Sequence, residues 1–349
     1  MRSFRIGLTP VGEDQPCFII AEMSGNHGGK LERALQIVRA VADSGATALK
    51  LQTYTADTVT LNSDAPDFLL QSGPWQEHGR LWDLYDAAHT PWEWHKPIFD
   101  EARRLGLEVF SSPFDESAVD FLESLGASAY KIASPEINHI PLLERVARTG
   151  KPVILSTGLA NLGDIELALS TLRAGGTSEI VMLKCTTAYP APDADTNLLT
   201  IPDMVNRFGV ISGLSDHSTG TAVAVAAVAV GAKVIEKHFM LEGREETVDS
   251  FFSLGEKEFK RLINDIRAAE RALGEISYDI APSALDYLSG KRSLYVSAYI
   301  PKGMPITAEN IRCVRPSFGL NPKYYERVLG SRTLRDLTKG ERLQFEDIE

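Results

Sequence analysis

The stretch VISGLSDHSTGTAVAVAAVAVGAKVIEKHF, residues 210–239, contains two short apolar runs on either side of a segment rich in alanine and valine. The runs cover residues 210–216 and 234–239, and the segment between them is long enough for a helix. A strand, a helix and a second strand in this order predict two neighbouring parallel strands. His217 follows the first strand and His238 lies near the end of the second, so polar groups come together where the two strands end.

Six more runs of this kind precede the stretch, and helical segments separate nearly all of them. They are CFIIAEM at 17–23, ALKLQTY at 48–54, EVFSSPF at 108–114, AYKIAS at 129–134, PVILST at 152–157 and IVMLKCT at 180–186. Eight alternating strands and helices predict an α/β protein with a closed (β/α)8 barrel, the TIM barrel. In that fold the active site lies at the C-terminal ends of the strands.

The chain is longer than one barrel. A barrel takes roughly 250 residues, and this chain has 349. We predict a barrel domain over 1–275, a linker over 276–290 and a small β-rich domain over 291–349, where strands are short and Pro and Gly recur. An insert over 55–92, after the second strand, is expected to lie over the active site and shape substrate access. The alternative is a loop with a short helix and no role.

Composition excludes several classes of protein. The formal net charge of -11 argues against a nucleic-acid-binding surface, which needs a basic stripe. No run approaches the ~20 apolar residues of a membrane span, and the first residues lack the apolar run of a signal peptide. The three cysteines show neither zinc-site spacing nor a disulfide framework. We therefore expect a cytoplasmic protein that binds neither nucleic acid nor a membrane.

The two histidines predict a metal site. His217 and His238 end adjacent strands, and two imidazoles leave coordination positions open for water and substrate. Mixed nitrogen and oxygen ligation favours Mn²⁺, with Mg²⁺ or Co²⁺ as alternatives, over structural zinc. The other interpretation is that a backbone carbonyl satisfies each histidine.

The lysines at strand ends predict an anion site. Lysine is almost never fully buried without a partner, and Lys50 and Lys131 end the second and fourth strands. Hydroxyl groups for the same anion come from Ser112, Ser134, Ser156 and Ser215. A phosphate or carboxylate fits this set. Alternatively, each lysine pairs with a structural carboxylate such as Glu22 or Glu136, or one lysine forms a Schiff base.

Three carboxylates are candidates for acid–base or hydroxyl-binding roles. Glu22 ends the first strand, Glu136 follows the fourth, where it can orient water, and Asp249 lies in the loop after the eighth strand. For Asp249 a solvated loop charge is the alternative.

The sequences of these motifs and their order along the chain resemble those of the sialic acid synthase family. The matching stretches are AEMSGNHGG at 21–29, LKLQTY at 49–54, FSSPFD at 110–115, YKIAS at 130–134, LSTG at 155–158, CTTAYPAP at 185–192, GLSDHS at 213–218, EKHF at 236–239 and VRPSFGLNP at 314–322. Family members are transferases that condense phosphoenolpyruvate with an amino sugar. Segments 21–27, 81–95 and 315–325 most resemble members that use 2,4-diacetamido-2,4,6-trideoxy-L-altrose.

The resemblance implies a role for each matching residue. His217 and His238 match metal ligands, and Glu136 matches a catalytic carboxylate. Matches to phosphoenolpyruvate contacts are Lys50, Lys131, Ser112, Ser134, Ser156 and Ser215. Matches to sugar-contacting positions are Glu22, Gln52, Tyr189 and Asp249. Thr187 stands where N-acetylneuraminate synthases carry asparagine.

The tail from 291 resembles the family's antifreeze-like (SAF) domain. In relatives this domain reaches across a domain-swapped homodimer and caps the active site of the other subunit. Arg315 matches the arginine that the domain offers there to the acetamido group of the substrate. A planar guanidinium suits an amide carbonyl.

Two alternatives to the altrose sugar remain. The nearer is the same reaction on N-acetylmannosamine or on the legionaminate precursor, which gives N-acetylneuraminate or legionaminate. A 6-deoxy sugar favours an apolar wall near its methyl group, which the insert's Trp75, Trp82, Trp92 and Trp94 are candidates to provide, unless they pack the insert itself. The more distant alternative is a non-enzymatic carbohydrate-binding protein, which needs neither a metal pair nor buried lysines.

Overall fold

Eight parallel strands close into a barrel, in the order in which they occur along the chain. The computed structural model describes residues 2–243 and 246–349. The barrel strands are Phe18–Glu22, Ala48–Thr53, Glu108–Pro113, Tyr130–Ile132, Val153–Ser156, Ile180–Cys185, Ile211–Asp216 and Val234–His238. The eighth strand pairs with both the seventh and the first, which closes the barrel. The predicted (β/α)8 barrel is confirmed.

Helices connect the strands and cover the barrel. They are Leu31–Ser44, Ala56–Val59, Leu81–Ala88, Trp92–Arg104, Glu116–Ser124, Ile140–Ala147, Leu162–Ala174, Thr200–Phe208, Ala222–Ala229 and Glu256–Leu273. Short 3-10 helices span Ser24–His27, Pro66–Phe68, Gln76–His78, Ser134–Asn138 and Asp193–Asp195. The inner faces of the α-helices pack against the outward-facing residues of the strands and form one buried apolar cluster with them. This packing holds the strand ends, and so the site, in fixed positions.

Local signals explain where several of these elements begin and end. The Asp115 side chain accepts hydrogen bonds from the backbone N–H groups of Ser117 and Ala118, which caps the helix that begins at Glu116. Gly106 follows the helix that ends at Arg104 and has a φ of 80°, a left-handed conformation that favours glycine.

The seventh and eighth strands approach each other closely at Gly213. A Cβ added there would lie 2.1 Å from the Val234 carbonyl oxygen and 2.8 Å from Leu183 Cδ2. Only glycine therefore lets these two strands pair here. The close approach also fixes the spacing of the two strand ends that carry His217 and His238.

The N-terminal hairpin of the barrel unit was not predicted. A hairpin of strands Ser3–Ile6 and Thr9–Gly12 packs Ile6 and Val11 into the apolar cluster inside the barrel. Its turn is held by Glu108, which accepts hydrogen bonds from the backbone N–H groups of Leu8 at 2.8 Å and Thr9 at 3.1 Å. Since Glu108 begins the third barrel strand, the hairpin lies at the end opposite the polar strand ends.

The helix Thr200–Phe208 was not predicted either. The sequence does contain a pattern typical of a helix, because apolar side chains recur at helical spacing at Ile201, Met204, Val205 and Phe208. Ile201 and Met204 are buried.

The residues divide into two compact units, Met1–Gly274 and Glu275–Glu349. Residues 276–290, predicted as a linker, lie in the second unit and include the 3-10 helix Pro282–Gly290. The remaining elements of this unit are strands Ser293–Val296 and Ile311–Val314, helix Tyr325–Val328 and 3-10 helices Pro322–Tyr324 and Phe345–Asp347. The unit has its own apolar core. Among the described residues, no helix is both long enough and apolar enough to cross a membrane.

Candidate active site

A cavity of about 400 Å³ lies at the C-terminal ends of the barrel strands. The candidate residues that line it are Lys50, Gln52, Lys131, Ser134, Glu136, Ser156, Thr187, Tyr189, Ser215, His217, His238 and Asp249. Glu22 and Ser112 lie behind this lining, where both contact Lys50. Arg315 is exposed in the second unit. The barrel therefore brings together every candidate of the first unit.

The charges at the base of the cavity form a buried cluster of two lysines and two carboxylates: Lys50, Lys131, Glu22 and Glu236, here called the charge cluster. Lys50 pairs with Glu22, and its Nζ lies 3.4 Å from Glu236 Oε1. Lys131 Nζ lies 3.5 Å from the same oxygen. All four side chains are at most 4% exposed. The sequence alternative, in which a lysine pairs with Glu22, is thus correct for Lys50.

Glu236 is the functional candidate that sequence reasoning missed. Its Oε1 contacts both lysines and lies 3.3 Å from Ser215 Oγ. A signal was available, because side chains alternate along a strand and Glu236 is two residues before His238. The two therefore share the inward face, while Lys237 between them forms a separate buried pair with Asp216 at 2.7 Å.

The pKa directions show how unevenly the charges compensate one another. Burial opposes ionisation of Glu236, but Lys131 and Lys50 outweigh it and hold its pKa below the ordinary value. Burial would lower the pKa of Lys50, but Glu22 and Glu236 raise it. For Lys131 burial dominates, and its pKa is lowered despite Glu236. Lys131 is therefore the less compensated cation, and an anionic ligand would stabilise it.

Several buried polar atoms around the cavity lack a hydrogen-bond partner within the described chain: Glu136 Oε2, Ser156 Oγ, Glu236 Oε2 and His238 Nδ1. Most buried polar groups in folded proteins are partnered, because an unmet hydrogen bond costs about 1–3 kcal/mol. Their common location at one cavity indicates a site that a polar ligand completes.

The two histidines lie beside each other, with ring centroids 5.4 Å apart. His217 Nδ1 is 3.0 Å from the Thr186 carbonyl oxygen and 3.8 Å from Cys185 Sγ. Burial and the neighbouring His217 hold the pKa of His238 well below its usual range. His238 is therefore a neutral imidazole, the form that binds metals.

This donor set fits the expected metal. A backbone carbonyl satisfies one nitrogen of His217, the arrangement that orients a metal-binding imidazole. His238 Nδ1 has no such partner, which contradicts the carbonyl interpretation for that residue. Within residues 2–243 and 246–349, no three His, Cys, Asp or Glu side chains form a metal-binding group. The protein thus offers two imidazoles, and water or substrate oxygens would complete the coordination.

Glu136 lies in the 3-10 helix that follows the fourth barrel strand. Burial raises the pKa of its carboxyl to about 7, although Lys131 opposes this shift. Near neutral pH the group is divided between its two protonation states, so it can accept or release a proton.

Asp249 is buried, which rules out a solvated loop charge. It accepts a hydrogen bond from the Ser24 hydroxyl, and burial raises its pKa. Tyr189 stacks at 4.6 Å from His217 between ring centroids and links the histidines to the aromatic side of the cavity.

The insert over 55–92 supplies the apolar side of the cavity, here called the apolar wall: Val59, Leu70, Trp75, Leu81, Leu84 and Tyr85. Of the four insert tryptophans, only Trp75 lines the cavity. Trp82 donates a hydrogen bond to Asp57 at 2.8 Å, Trp92 stacks on Phe121, and Trp94 packs edge-on against His27. These three tryptophans, of which Trp94 lies just beyond residue 92, are therefore taken up by contacts within the fold.

Comparison with known proteins shows relatives that are similar in both sequence and fold. The NeuB family profile matches residues 37–278, and the SAF domain profile matches residues 291–349. The chain belongs to the NeuB family. It is 44% identical to the pseudaminic acid synthase of Campylobacter jejuni subsp. jejuni serotype O:23/36 (strain 81-176), covering 96% of this chain and 97% of that one.

Two further similarities support the NeuB assignment. The pseudaminic acid synthase of Helicobacter pylori (strain ATCC 700392 / 26695) is 42% identical over 96% of this chain and 98% of its own. The crystal structure of the spore coat polysaccharide biosynthesis protein SpsE from Bacillus subtilis has a TM-score of 0.69 at 34% identity, covering 100% of this chain and 99% of that one. The resemblance to sialic acid synthases, the barrel with a SAF domain, and the assignment as an enzyme are confirmed.

We expect the charge cluster of this NeuB-family chain to depend on Glu236. Glu236→Leu removes the carboxylate that both lysines share, so the free energy of unfolding should fall by about 3 kcal/mol, as for other broken buried ion pairs. Urea unfolding followed by tryptophan fluorescence measures it, because all four tryptophans lie in the barrel unit.

The matched control is Glu166→Gln, which changes an exposed carboxylate on a barrel helix and should shift stability by less than about 0.5 kcal/mol. A Glu236→Leu variant as stable as the control would contradict the role of Glu236 as the shared counter-ion.

Proposed function

We propose that this chain is a pseudaminic acid synthase. It condenses phosphoenolpyruvate, water and 2,4-diacetamido-2,4,6-trideoxy-L-altrose to pseudaminate and phosphate. The observation that carries the proposal is similarity over nearly the whole chain to two proteins of that name. The cavity supports it, since it combines cations, a histidine pair and an apolar wall.

The charge cluster supports a site for phosphoenolpyruvate. Lys50 and Lys131 would hold its phosphate and carboxylate, with hydroxyl groups from Ser134, Ser156 and Ser215 as further donors. Cations fixed in a buried site stabilise the anion throughout the reaction without reorganising, which is often the largest single contribution to catalysis. The cluster already balances its own charges in part, so Lys131 is the cation most available to the substrate.

The reaction joins C3 of phosphoenolpyruvate to the aldehyde carbon of the open-chain sugar. As this bond forms, the double bond is lost and positive charge develops at C2, where water adds. The aldehyde oxygen takes up a proton and becomes a hydroxyl group. The hydroxyl group added at C2 then loses its proton and becomes the ketone oxygen as the C2–O bond to phosphate breaks, and phosphate leaves with the bridging oxygen. Glu136, with a pKa of about 7, is suited to take the proton from the attacking water.

His217 and His238 would hold the divalent metal, for which Mn²⁺ is the first choice and Mg²⁺ and Co²⁺ are alternatives. Such a metal supplies Lewis acidity that polarises a carbonyl oxygen. Gln52, Tyr189 and Asp249 line the cavity and would position the sugar, and Thr187 would be a further contact. Glu22, which matches a sugar-contacting position of the family, lies behind the lining and would act through Lys50.

The family resemblance also suggests a homodimer in which the SAF domain of one subunit offers Arg315 to the other subunit's site. We further propose a cytoplasmic location, since the three free cysteines fit a reducing compartment.

Phosphate release from phosphoenolpyruvate tests the function directly. With Mn²⁺, we expect release with 2,4-diacetamido-2,4,6-trideoxy-L-altrose and none above background with N-acetylmannosamine or the legionaminate precursor, and EDTA should abolish it. Release with N-acetylmannosamine alone would replace the proposed substrate by that of an N-acetylneuraminate synthase. Release unaffected by EDTA would contradict the proposed need for a divalent metal. No release with any of the three sugars would contradict the proposed synthase activity.

The raised pKa of Glu136 predicts the pH dependence. As the proton acceptor, Glu136 must be ionised, so kcat/KM should rise with pH through about 7 and then level off. Glu136→Gln should lose this limb and at least roughly 100-fold in rate. Both proteins are assayed across the same pH range, so the ionisation of the substrates is shared. A limb that survives in Glu136→Gln would assign it to another group.

A further inference from the structure

The apolar wall and three residues of the charge cluster, Lys50, Lys131 and Glu236, line the same cavity, which gives the site two chemically different parts. Several charged residues of the insert are paired within the insert itself: Arg80 pairs with Asp64 and Asp83, and Asp57 accepts a hydrogen bond from Trp82. No charged side chain of residues 55–92, all of which the structure describes, lines the cavity. The insert therefore presents mainly apolar and aromatic side chains to a ligand, with the Tyr85 hydroxyl and the Trp75 indole N–H as their polar side-chain groups.

Trp75 is held in this wall by one hydrogen bond and two ring contacts. Its indole Nε1 donates a hydrogen bond of 2.8 Å to the Val248 carbonyl oxygen. Its ring centroid lies 5.2 Å from that of Tyr189 and 6.0 Å from that of Phe251. Because the only polar atom of the indole is already bonded to the backbone, Trp75 offers the cavity a ring face without a free donor.

The line of contacts from the histidines fixes what this ring would meet. Trp75 packs on Tyr189, and Tyr189 packs on His217, so Trp75 lies one aromatic ring beyond the histidine pair. A sugar whose aldehyde lies at the histidines and whose chain follows these rings directs its far end to Trp75. A methyl group at that end loses no hydrogen bond there, whereas a hydroxyl group would give up its bonds to water without replacement.

We propose that Trp75 is a specificity-determining residue that selects sugars with a terminal methyl group in place of a hydroxymethyl group. This inference rests on the proposed function and identifies the part of the site that distinguishes its substrate from 6-hydroxylated sugars. A single hydroxyl in an apolar pocket is rejected by roughly 10- to 100-fold, so discrimination of this size is expected.

The test compares two sugars that differ only at C6, 2,4-diacetamido-2,4,6-trideoxy-L-altrose and 2,4-diacetamido-2,4-dideoxy-L-altrose. The readout is the ratio of their kcat/KM values for phosphate release by the full-length chain with Mn²⁺ and saturating phosphoenolpyruvate. Wild-type protein should prefer the 6-deoxy sugar by roughly 10- to 100-fold. Two variants separate the ring face of Trp75 from its hydrogen bond.

Trp75→Phe keeps an aromatic face but loses the donor to Val248, and it should retain the preference. Trp75→Gln keeps a donor but loses the face, and its ratio should fall to within about threefold of one, through KM for the sugar rather than KM for phosphoenolpyruvate. Trp82→Phe is the matched control, because Trp82 belongs to the same insert but does not line the cavity; its ratio should equal that of wild type.

Three results would overturn the inference. A Trp75→Gln protein with the wild-type ratio would show that the ring face does not select the sugar. Loss of the preference in Trp75→Phe but not in Trp75→Gln would assign selection to the hydrogen bond with Val248. Loss in Trp82→Phe as well would assign it to the insert as a whole. If wild type releases no phosphate with the 6-deoxy sugar, the proposed function fails first, and the inference with it.

Discussion

Four charged side chains, two lysines and two glutamates, are buried together at one end of the barrel. Each needs a partner of opposite charge nearby, and this need shapes the rest of the site. An isolated buried charge is costly, and a buried pair is stable only when partners and hydrogen bonds are well placed. Four strand ends meet this requirement: Glu236, Glu22 and Lys50 come from the eighth, first and second strands, which are neighbours, and Lys131 comes from the fourth. Their positions are fixed by strand pairing and by the covering helices, so the cluster is rigid before a substrate arrives.

The cluster is balanced overall but not locally. Glu236 serves two cations, and the pKa of Lys131 remains lowered by burial. This local deficit of negative charge is what an anionic substrate would correct. The same cavity holds Glu136 with a raised pKa and two adjacent imidazoles, so the residues proposed to bind the anion, accept a proton and hold a metal adjoin one another. The apolar wall closes the other side, which separates the reacting groups from the part of the cavity that would receive the rest of the sugar.

Much of this arrangement was predictable from the sequence. Eight apolar runs in alternation with helical segments determine the barrel, and the barrel alone brings polar strand ends together. The position of Lys50, His217 and His238 followed from that rule. Glu236 was overlooked because it was taken as part of an apolar run, although period-two alternation with His238 places it on the inward face. The metal role of the histidines and the anion role of the lysines followed from residue type and strand position, whereas the roles of Gln52, Tyr189 and Arg315 rested on family resemblance.

Other features depend on contacts that no local pattern encodes. The N-terminal hairpin is held by Glu108, about a hundred positions away along the chain, so residues 3–12 alone give no sign that they pack at one end of the barrel. The four tryptophans in and just after the insert look alike in the sequence. Only Trp75 lines the cavity, because the other three contact other parts of the fold. Which aromatic side chain meets a ligand is therefore decided by packing rather than by sequence.

The central claim is that the charge cluster is a preformed binding site for phosphoenolpyruvate in which Lys131 is the available cation. Calorimetric titration of phosphoenolpyruvate without sugar, into wild type and into Lys131→Met, tests it most directly. Methionine fills a similar volume without the charge, so affinity should fall by roughly 10- to 100-fold, the equivalent of one hydrogen bond to a charged group. Lys184→Met, which changes a lysine outside the cavity, should bind as wild type does. Equal affinity in wild type and Lys131→Met would contradict the account.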